Sequence, residues 1–390
     1  MSSAYIVASA TLNDESPRSH QGQLTSFHLS FLSGDLMEFL KNAWYVAAHS
    51  YELDEGLVSR KICNEPIVMF RTANGDIAAL RDRCPHRFVP LSMGKRIGDT
   101  LQCGYHGLTF DSTGACAHAP NEDEQQKARI CVKSYTAVER YAVVWLWLGA
   151  AESADTTLIP SFDFMSDTEH YAVARGYSHI KANSEFLADN LLDLSHVHYL
   201  HPHIHSGSDF SQFTNKLKVE GETVWSMLWR HHYHLDATRQ KLMGLNASDV
   251  EGQGHSRWSV PGNLFVDTGF WEHGKSMQEG ISSPSAHLLT PETEYTTHYF
   301  WGSARNYDIH NDERTRATES SMHTIFETQD GPMCEAQQAA LGTEVDFLAA
   351  RPLILRADAA GLAARRIMKR KRREEAELFA TAGSVRPKSA

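Results

Sequence analysis

Short runs in which apolar and polar residues alternate fill the first third of the chain, beginning near residue 42. Three of these runs are rich in β-branched and aromatic residues and are bounded by turn formers: Pro66–Arg71, Asp76–Arg81 and Tyr141–Trp147. Such a pattern is typical of short strands joined by turns. It predicts a small antiparallel β domain over residues 37–150, followed by a polar linker that reaches Pro160.

Longer elements follow from about residue 169, and they mix the periodicities of strands and helices. The predicted elements are a helix near Ser184–Tyr199, strands near Lys216–Tyr233 and Gly254–Phe270, a hairpin across Ala286–Ser303 that turns at Thr290–Thr293, and helices over about Asp312–Leu378 with breaks at Gly331-Pro332 and Arg351-Pro352. Strands followed by helices favour an α+β domain over residues 160–390. Residues 1–36 are polar and irregular, and we expect them to form a disordered extension.

Composition narrows the class of protein. The net charge of −11 argues against a protein that binds nucleic acid. The sequence has no apolar run long enough to span a membrane, and its N-terminus lacks the pattern of a signal peptide, so we expect a cytoplasmic protein. Six cysteines in 390 residues are too few for a disulfide scaffold. In a reducing compartment, Cys and His that cluster together indicate a metal site.

The first candidate metal site consists of a C-x-H motif and a C-x2-H motif. Their metal-binding residues are Cys84, His86, Cys103 and His106. A Rieske [2Fe–2S] centre needs two thiolates on one iron and two imidazoles on the other. One Cys and one His from each of two turns meet this need. A Cys2His2 zinc site is the alternative, although zinc ribbons and fingers favour closely spaced pairs of Cys.

The second candidate metal site is a stretch rich in His and Asp. Four of its residues share one face if the stretch is helical: Asp189, Asn190, Asp193 and His196. A mononuclear iron that activates O₂ typically uses two His and one carboxylate and keeps positions open. On an ideal helix His201 lies about 140° from His196, so periodicity alone leaves both His201 and His198 open as the second ligand.

The third iron ligand is expected to be a carboxylate from the C-terminal part of the chain. The candidates are Glu327, Asp330 and Glu335. Spacing leaves all three open. Asp330 also has a purely structural interpretation, since it fits the N-cap of a helix that begins at Pro332.

Taken together, the two constellations resemble those of the Rieske non-haem iron oxygenases. The Cys-Pro-His-Arg and Cys-x-Tyr-His-Gly motifs are similar to that family's cluster motif, and residues 190–201 are similar to the Asn-x-x-Asp-x-x-His-x4-His segment of the vanillate and dicamba O-demethylase group. The resemblance covers about residues 40–375. It implies an α+β fold, in which an antiparallel β Rieske domain precedes a helix-grip (START-like) catalytic domain with an antiparallel sheet and C-terminal helices.

The resemblance also implies roles for individual residues. The iron ligands that it implies are His196, His201 and Asp330. It carries the bridging carboxylate onto Asp193 and includes Asn190 in the same catalytic motif. In the family this Asp links a cluster-ligand His of the neighbouring subunit, here His106, to an iron-ligand His, here His196, and this implies a homotrimer. Two residues are expected to face the substrate: Asn263 and His287.

The activity that the resemblance implies is O₂-dependent demethylation of a small methoxylated aromatic acid, such as a vanillate-like compound. The same scaffold leaves N-dealkylation and ring hydroxylation or dihydroxylation open, and an electron-transfer protein with only the Rieske cluster is an alternative of another class. The sequence has neither a G-x-G-x-x-G fingerprint nor the C-x4-C-x2-C spacing of plant-type ferredoxins. We therefore expect electrons to come from NAD(P)H through a separate reductase, with or without a ferredoxin.

Overall fold

The computed structural model describes residues 39–201 and 213–384. Its first region contains ten strands: β1 (Trp44–His49), β2 (Val58–Ile62), β3 (Glu65–Arg71), β4 (Ile77–Arg81), β5 (Lys95–Ile97), β6 (Thr100–Gln102), β7 (Thr109–Phe110), β8 (Cys116–His118), β9 (Thr136–Arg140) and β10 (Val143–Trp147). They form three antiparallel sheets with the orders β1-β10-β9, β2-β3-β4 and β5-β6-β7-β8. The predicted antiparallel β architecture is confirmed. The extension expected at residues 1–36 lies outside the described residues.

Strand β10 is apolar and buried at every position, and its two faces explain why. Val144 and Leu146 pack into a hydrophobic cluster that extends into the second region. Trp145 and Trp147 point the other way, into an aromatic cluster that includes Phe162. Because successive side chains of a strand point to opposite faces, a strand covered on both sides must be apolar throughout.

The second region is built on one antiparallel sheet. Its seven strands are β11 (Ala172–Ile180), β12 (Phe213–Glu220), β13 (Thr223–His234), β14 (Asp249–Ser259), β15 (Asn263–Glu272), β16 (Ile281–Thr293) and β17 (Thr296–Arg305). They lie in the order β11-β17-β16-β15-β14-β13-β12. The predicted hairpin is present, but the prediction of its turn at Thr290–Thr293 was wrong. Strand β16 stays paired with β17 as far as Thr293, so the chain turns at Glu294 and Tyr295.

The two faces of this sheet have different neighbours. One face, which we call the helix-side face, carries a row of four residues from neighbouring strands: Trp258, Leu264, His287 and Trp301. The other, the β-side face, carries Phe265, Ala286, Leu288 and Phe300, which pack on the aromatic cluster of the first region. Directly opposite residues in an antiparallel pair share a face, so the register fixes which side chains can meet.

Helices cover part of the helix-side face. Those of the described residues are α1 (Glu124–Lys127), α2 (Ser184–Leu192), α3 (Val197–Leu200), α4 (Ala237–Met243), α5 (Asp312–Ile325), α6 (Gly331–Leu341) and α7 (Ala359–Ser384). Helix α2 contacts β14 and β16, and α7 contacts β13. Short 3₁₀ turns lie at Ser50–Asp54, Leu91–Met93, Ala151–Ser153, Thr156–Leu158, Asp163–Met165, Met277–Glu279 and Arg356–Asp358. The predicted C-terminal helices are therefore confirmed.

Two helix boundaries differ from the sequence prediction. The helix predicted over Ser184–Tyr199 is two helices, because Asp193 leaves helical geometry at ψ 92° and α3 begins only at Val197. No break occurs at Gly331-Pro332. A π-helical turn, Phe326–Asp330, instead joins α5 to α6 without interruption. Pro332 has no N–H to donate to the preceding turn, and it lies just after the π-helical turn, where the regular α-helical hydrogen-bond pattern is already altered.

Hydrogen bonds join the first region to the sheet of the second. The backbone N–H of Cys63 donates to the Pro291 carbonyl at 2.8 Å, and the Thr290 hydroxyl donates to the Val46 carbonyl at 2.7 Å. The segment expected to turn at Thr290–Thr293 is thus held as a strand by its contacts with β1 and β2. Among the described residues, no helix is both long and apolar enough to cross a membrane.

Two candidate metal centres

Two loops with the same backbone pattern carry the four residues of the first candidate centre. In each loop the Cys N–H donates to the carbonyl five residues later, at 2.9 Å for Cys84 and 2.7 Å for Cys103. The fourth residue after each Cys has a positive φ, +63° at Phe88 and +77° at Gly107. The two loops therefore turn alike, as a centre that takes one Cys and one His from each of them requires.

Burial divides the four side chains into two pairs. Cys84 and Cys103 are 1% and 2% exposed, and their thiols are hydrogen-bond neighbours. His86 and His106 are exposed, with ring centroids 4.5 Å apart. A Rieske cluster has one iron on two thiolates and one on two imidazoles. The donor set fits such a cluster, with the thiolate side inside the protein and the imidazole side at its surface.

The second candidate centre brings together His196, His201 and Asp330. The ligand atoms of these three residues all lie within 4.8 Å of one another. The Asp330 carboxylate oxygen Oδ1 is 3.5 Å from Nε2 of His196 and 3.2 Å from Nε2 of His201. His201 and Asp330 are buried and His196 is half-buried. Two imidazoles and one carboxylate that converge in this way fit a mononuclear non-haem iron with open positions.

Departures from regular helix place these three side chains. The end of α2 at Asp193 frees the chain to turn before His196, and the short α3 then carries it to His201. Asp330 is the last residue of the π-helical turn and makes no capping hydrogen bond, so its interpretation as an N-cap was wrong. A π turn rotates the side chains that follow it relative to a continuous α-helix, and such turns are frequent at functional sites.

A second set of contacts orients the ligands. Nδ1 of His196 is bonded to the Asp193 carbonyl, and Nδ1 of His201 lies 2.5 Å from the Gln329 side-chain oxygen. Since both acceptors take the proton on Nδ1, the two Nε2 atoms are left free for a metal. Such partners are a regular feature of His ligands. Gln329 was not among the residues predicted from the sequence, although its position next to a candidate Asp was a usable signal.

The remaining candidates from the sequence lie elsewhere. His198 is not part of the group that converges on Asp330. Glu327 pairs with His323 at 3.4 Å, and Glu335 accepts from the Lys181 N–H at 2.9 Å. Asp189 does not share the site either, because it faces α7 and pairs with Arg365 at 2.7 Å.

Asn190 and Asp193 lie directly beside the second centre. The Asn190 amide donates to Oδ1 of Asp330 at 3.2 Å, and so restrains the carboxylate from one side. The Asp193 side chain accepts from the Ser195 N–H at 2.8 Å and hydroxyl at 2.6 Å. The backbone carbonyl of Asp193 accepts the hydrogen bond from Nδ1 of His196. This one half-buried residue therefore connects an iron-site imidazole with the protein surface. The same residues line a cavity that also includes Met333.

His287 lies on the helix-side face near the second centre. Burial lowers its pKa to about 4, so the imidazole is neutral at neutral pH. Burial raises the pKa of Tyr299 far above its usual range, so its hydroxyl stays protonated. This hydroxyl is hydrogen-bonded to Nδ1 of His287 at 2.6 Å, and the Ser285 hydroxyl is hydrogen-bonded to Nε2 at 2.8 Å. Tyr299, which was not among the residues predicted from the sequence, therefore orients the His287 ring.

Asn263 is not brought to the same surface as His287. It pairs with Leu288, whereas its neighbour Leu264 pairs with His287. Asn263 therefore points to the β-side face, whereas Leu264 shares the helix-side face with His287. Its amide donates weakly to the Val260 carbonyl, at 3.4 Å. A slip of one residue moves a side chain to the other face of a sheet.

Comparison with known proteins gives the same order of domains. Residues 43–136 match the Rieske [2Fe-2S] domain, and residues 180–374 match the vanillate O-demethylase oxygenase C-terminal domain. The oxygenase component of chloroacetanilide N-alkylformylase from Rhizorhabdus wittichii is 33% identical over 85% of this chain and 94% of its own length. The oxygenase component of dicamba O-demethylase from Stenotrophomonas maltophilia is 34% identical over 77% and 88%.

A solved structure of dicamba monooxygenase bound to 3,6-dichlorosalicylic acid matches with a TM-score of 0.79 and 32% identity, over 87% of this chain and 99% of that one. A Rieske domain followed by a sheet-and-helix domain with a non-haem iron site defines a class of enzyme, the oxygenase component of a Rieske oxygenase. This chain belongs to the Rieske non-haem iron oxygenases, in the group of the vanillate and dicamba O-demethylase oxygenase components. Its cofactors are a Rieske [2Fe–2S] cluster and a mononuclear iron.

Proposed function

We propose that this protein is the oxygenase component of a monooxygenase that demethylates a methoxylated aromatic acid. The reaction consumes the methyl ether, O₂, two electrons and two protons, and it yields a phenol, formaldehyde and water. When bound, the cluster supplies electrons one at a time, and the iron activates O₂ for insertion of one oxygen atom into the methyl C–H bond. The family match and the relatives' activities support this proposal.

The observation that carries the proposal is the convergence of His196, His201 and Asp330 beside the helix-side face of the sheet. These three residues would hold the iron. Asn190 and Gln329 restrain the ligands, and neutral His287 offers a hydrogen-bonding group on the sheet below. An electron-transfer protein with a Rieske cluster alone has no use for this second group of ligands.

We propose that Cys84, His86, Cys103 and His106 hold the cluster and that electrons pass between chains of a homotrimer. Three features support this proposal. The imidazole pair is exposed, and so are the apolar neighbours Phe88 (60%) and Tyr105 (63%). Met333, which lines the cavity beside Asp193, is 56% exposed, and Tyr199, on the short helix between the two His ligands, is 84% exposed. Apolar residues exposed near both centres suit a contact between copies. Asp193 would then link His106 of one chain to His196 of the next.

We further infer that the chain divides at the linker, into a Rieske domain over 37–150 and a catalytic domain over 160–390. The strands of each part pair only with one another in the described residues. Electrons would come from NAD(P)H through a separate reductase, with or without a ferredoxin. We place the reaction in the cytoplasm, because none of the six cysteines, all of which lie in the described residues, forms a disulfide, and unpaired cysteines persist in reducing compartments.

The first test is turnover by the reconstituted protein with a reductase and NADH. Methoxybenzoates of each ring position are supplied, and O₂ uptake, formaldehyde and the phenol are measured together. We expect equal amounts of the three and about three irons and two sulfides per chain. An N-methylanilide is the comparison substrate, since its N-dealkylation also releases formaldehyde and one relative is an N-alkylformylase. Formaldehyde from the anilide alone, or a ring diol from the benzoates, would contradict the proposed reaction.

Transfer between chains is tested by mixing two inactive variants in one host. His106→Ala damages the cluster, and Asp330→Ala damages the iron site. If electrons cross between chains, mixed oligomers contain pairs of intact sites on different chains and recover a measurable part of wild-type turnover. If electrons stay within one chain, no chain has both intact sites and the mixture stays inactive. Separate preparations of each variant are the controls.

A further inference from the structure

The helix-side face of the sheet continues beyond His287 as a surface made mostly of small residues. Stepping by two residues along the paired strands, the row next to that of His287 contains Ser226, Ser256, Val266, Ser285 and Ser303, and the following row contains Leu228, Gly254, Thr268 and Ser283. Hydroxyls and glycine leave free space above a sheet that large side chains would fill. The Ser256 hydroxyl is fully buried and has no hydrogen-bond partner.

Arg230 lies at the end of this surface. It follows Val224, Ser226 and Leu228 on the same face of β13 and pairs with Gly252 of β14. Its side chain is 6% exposed. Nη1 donates to the Gln253 carbonyl at 2.7 Å, and Nε has no hydrogen-bond partner. A buried guanidinium usually has a carboxylate partner, because its desolvation is otherwise uncompensated.

None of the described carboxylates is paired with Arg230. The neighbouring acidic residues Glu251 and Asp267 belong to the β-side face, where Asp267 accepts from the Gln253 amide at 2.6 Å. Arg230 instead has aromatic rings around it, with Tyr233 and Phe270 within 5.9 Å and 5.6 Å of its guanidinium carbon. Burial lowers the pKa of Arg230 to about 10, so it stays cationic at neutral pH.

The guanidinium points back along the sheet toward His287. A Cβ on Gly254 would lie only 3.0 Å from Nη2 of Arg230, so the head group sits over the row of Gly254, one row closer to the iron site than its own Cα. The head group over Gly254 thus lies four residues along the strands and two strands across the sheet from His287, a separation of about 16 Å. An aromatic acid whose methyl ether lies at the iron covers part of this separation, and its hydrogen bonds to Arg230 and the approach of its methyl group to the iron cover the rest.

We infer that Arg230 binds the anionic group of the substrate, a carboxylate or a sulfonate, at the end of the helix-side face away from the iron site. This inference deepens the proposed function and depends on it. The planar guanidinium has two donors on one edge, which match the two oxygens of such a group. Gly254 leaves the space that the head group needs. The anion would supply the charge partner that Arg230 lacks within the described residues.

The experiment measures equilibrium binding to the protein loaded with both cofactors, under argon, by calorimetry. The probes are 3-methoxybenzoate and 3-methoxybenzenesulfonate, with 3-methoxybenzamide as the uncharged counterpart. Wild-type protein, Arg230→Gln and Arg230→Lys are compared. We expect Arg230→Gln to weaken binding of at least one anion by about 30- to 100-fold, as loss of a buried charge-assisted pair does. Arg230→Lys keeps the positive charge but not the two parallel donors of the guanidinium, so it should lose less affinity for the anions than Arg230→Gln does.

The uncharged benzamide separates a binding role from a structural one. If Arg230 only supports the sheet, all three probes lose affinity together in Arg230→Gln. If it binds the anion, the benzamide is affected less than threefold. The matched control is Arg257→Gln, an arginine of the next strand that lies on the β-side face and contacts the Ser161 carbonyl. It should leave the preference for anions unchanged.

Each outcome bears on the inference separately from the proposed function. Equal affinity of wild type and Arg230→Gln for the anions overturns the inference, and so does a wild-type protein that binds the benzamide but neither anion. Demethylation of the benzamide in that second case would leave the proposed reaction standing. Iron content, visible spectrum and thermal unfolding of each variant are measured first. If Arg230→Gln fails to fold, the comparison is made between wild type and Arg230→Lys. An equal ratio of benzoate to benzamide affinity in these two proteins then contradicts the inference.

Discussion

The two candidate metal centres are built in opposite ways. The cluster residues come from two loops only sixteen positions apart, and their imidazoles lie at the surface. The iron-site residues come from segments about 130 positions apart, on the irregular end of one helix and the π turn of another. The first centre is local and exposed on its imidazole side, whereas the second is assembled by the fold and is largely buried.

This difference matches the role proposed for each centre, with electrons passing from the cluster of one chain to the iron of another. A centre that passes electrons to another chain works best with its ligands at the surface, close to a partner. A centre that activates O₂ needs a shielded site whose ligands are fixed from behind, here by Asn190 and Gln329. We therefore expect substitutions at the iron site to act on metal binding, and substitutions on the path between the centres to act on electron transfer alone.

The largest effect is expected from Asp330→Ala. The substitution removes the one carboxylate between two imidazoles, so the mononuclear iron should be lost and turnover should fall below detection. The cluster, built on separate loops, should keep its visible spectrum and two sulfides per chain. Iron analysis and turnover report on the mononuclear iron, and sulfide analysis reports on the cluster. Glu327→Ala is the matched control, because this exposed carboxylate in the same turn pairs only outside the site. Loss of the cluster in Asp330→Ala would contradict the conclusion that the two centres are built independently of each other.

The next largest effect is expected from Asp193→Asn. The amide keeps the shape of the side chain and its oxygen still accepts from Ser195, so both metals should stay bound. Turnover should fall by about 100-fold, the upper range for partners of metal ligands. The reoxidation of the pre-reduced cluster by O₂ and substrate, followed in visible light, should slow by the same factor. Ser195→Ala is the control. Normal turnover in a fully metallated Asp193→Asn protein would refute the route through this residue.

Sequence patterns predicted the local centre well, and physical reasons account for the rest. The two Cys-His motifs carry their own loop geometry, so spacing alone indicated the cluster. At the iron site, periodicity left His198 and His201 open because it cannot show where α2 ends. Asp330 looked like an ordinary helix cap, since a π turn has no sequence signature of the kind that Gly or Pro gives to a turn.

The errors in the sheet have a similar origin. The segment Thr290–Thr293 has the composition of a turn, yet contacts with β1 and β2 hold it as a strand. Asn263 and His287 were expected to face the substrate together, but the register places them on opposite faces, and Leu264 lies beside His287 instead. The neighbouring strands determine both the extended conformation of Thr290–Thr293 and the face on which Asn263 lies. These strands come from parts of the chain too distant to appear in a local sequence pattern.

A smaller effect on metal affinity is expected from Gln329→Leu. Leu cannot accept the Nδ1 proton of His201, so the ring is less well oriented and less basic. The affinity for Fe(II) should fall by about 10- to 100-fold, with the cluster unaffected. Titration of the iron-depleted protein with Fe(II), followed by recovery of turnover, gives the value. Thr328→Val is the control, because the hydroxyl of that residue bonds within its own helix. Equal affinity in wild type and Gln329→Leu would count against this role.

The smallest effect concerns His298, which joins the two regions. In its neutral form Nε2 donates to the Lys61 carbonyl at 2.9 Å and Nδ1 accepts from the Tyr177 hydroxyl at 2.8 Å. Burial lowers its pKa from 6.5 to about 4. Between these values the unfolded chain binds the proton more readily, so the contribution of His298 to stability is complete above pH 6.5 and is lost as the pH falls toward 4. From pH 7 to pH 5 this amounts to about 2 kcal/mol.

His298→Gln should therefore flatten the dependence of stability on pH. The measurement is the free energy of unfolding in urea at pH 7 and pH 5, followed by tryptophan fluorescence. Wild type should lose about 2 kcal/mol more than the variant between the two values. The exposed His170, which pairs with Asp167, supplies the control His170→Gln, since hydrogen bonding to Asp167 raises its pKa and its contribution has the opposite sign. If His298→Gln shows the wild-type slope, the junction between the two regions does not depend on a neutral imidazole at this position.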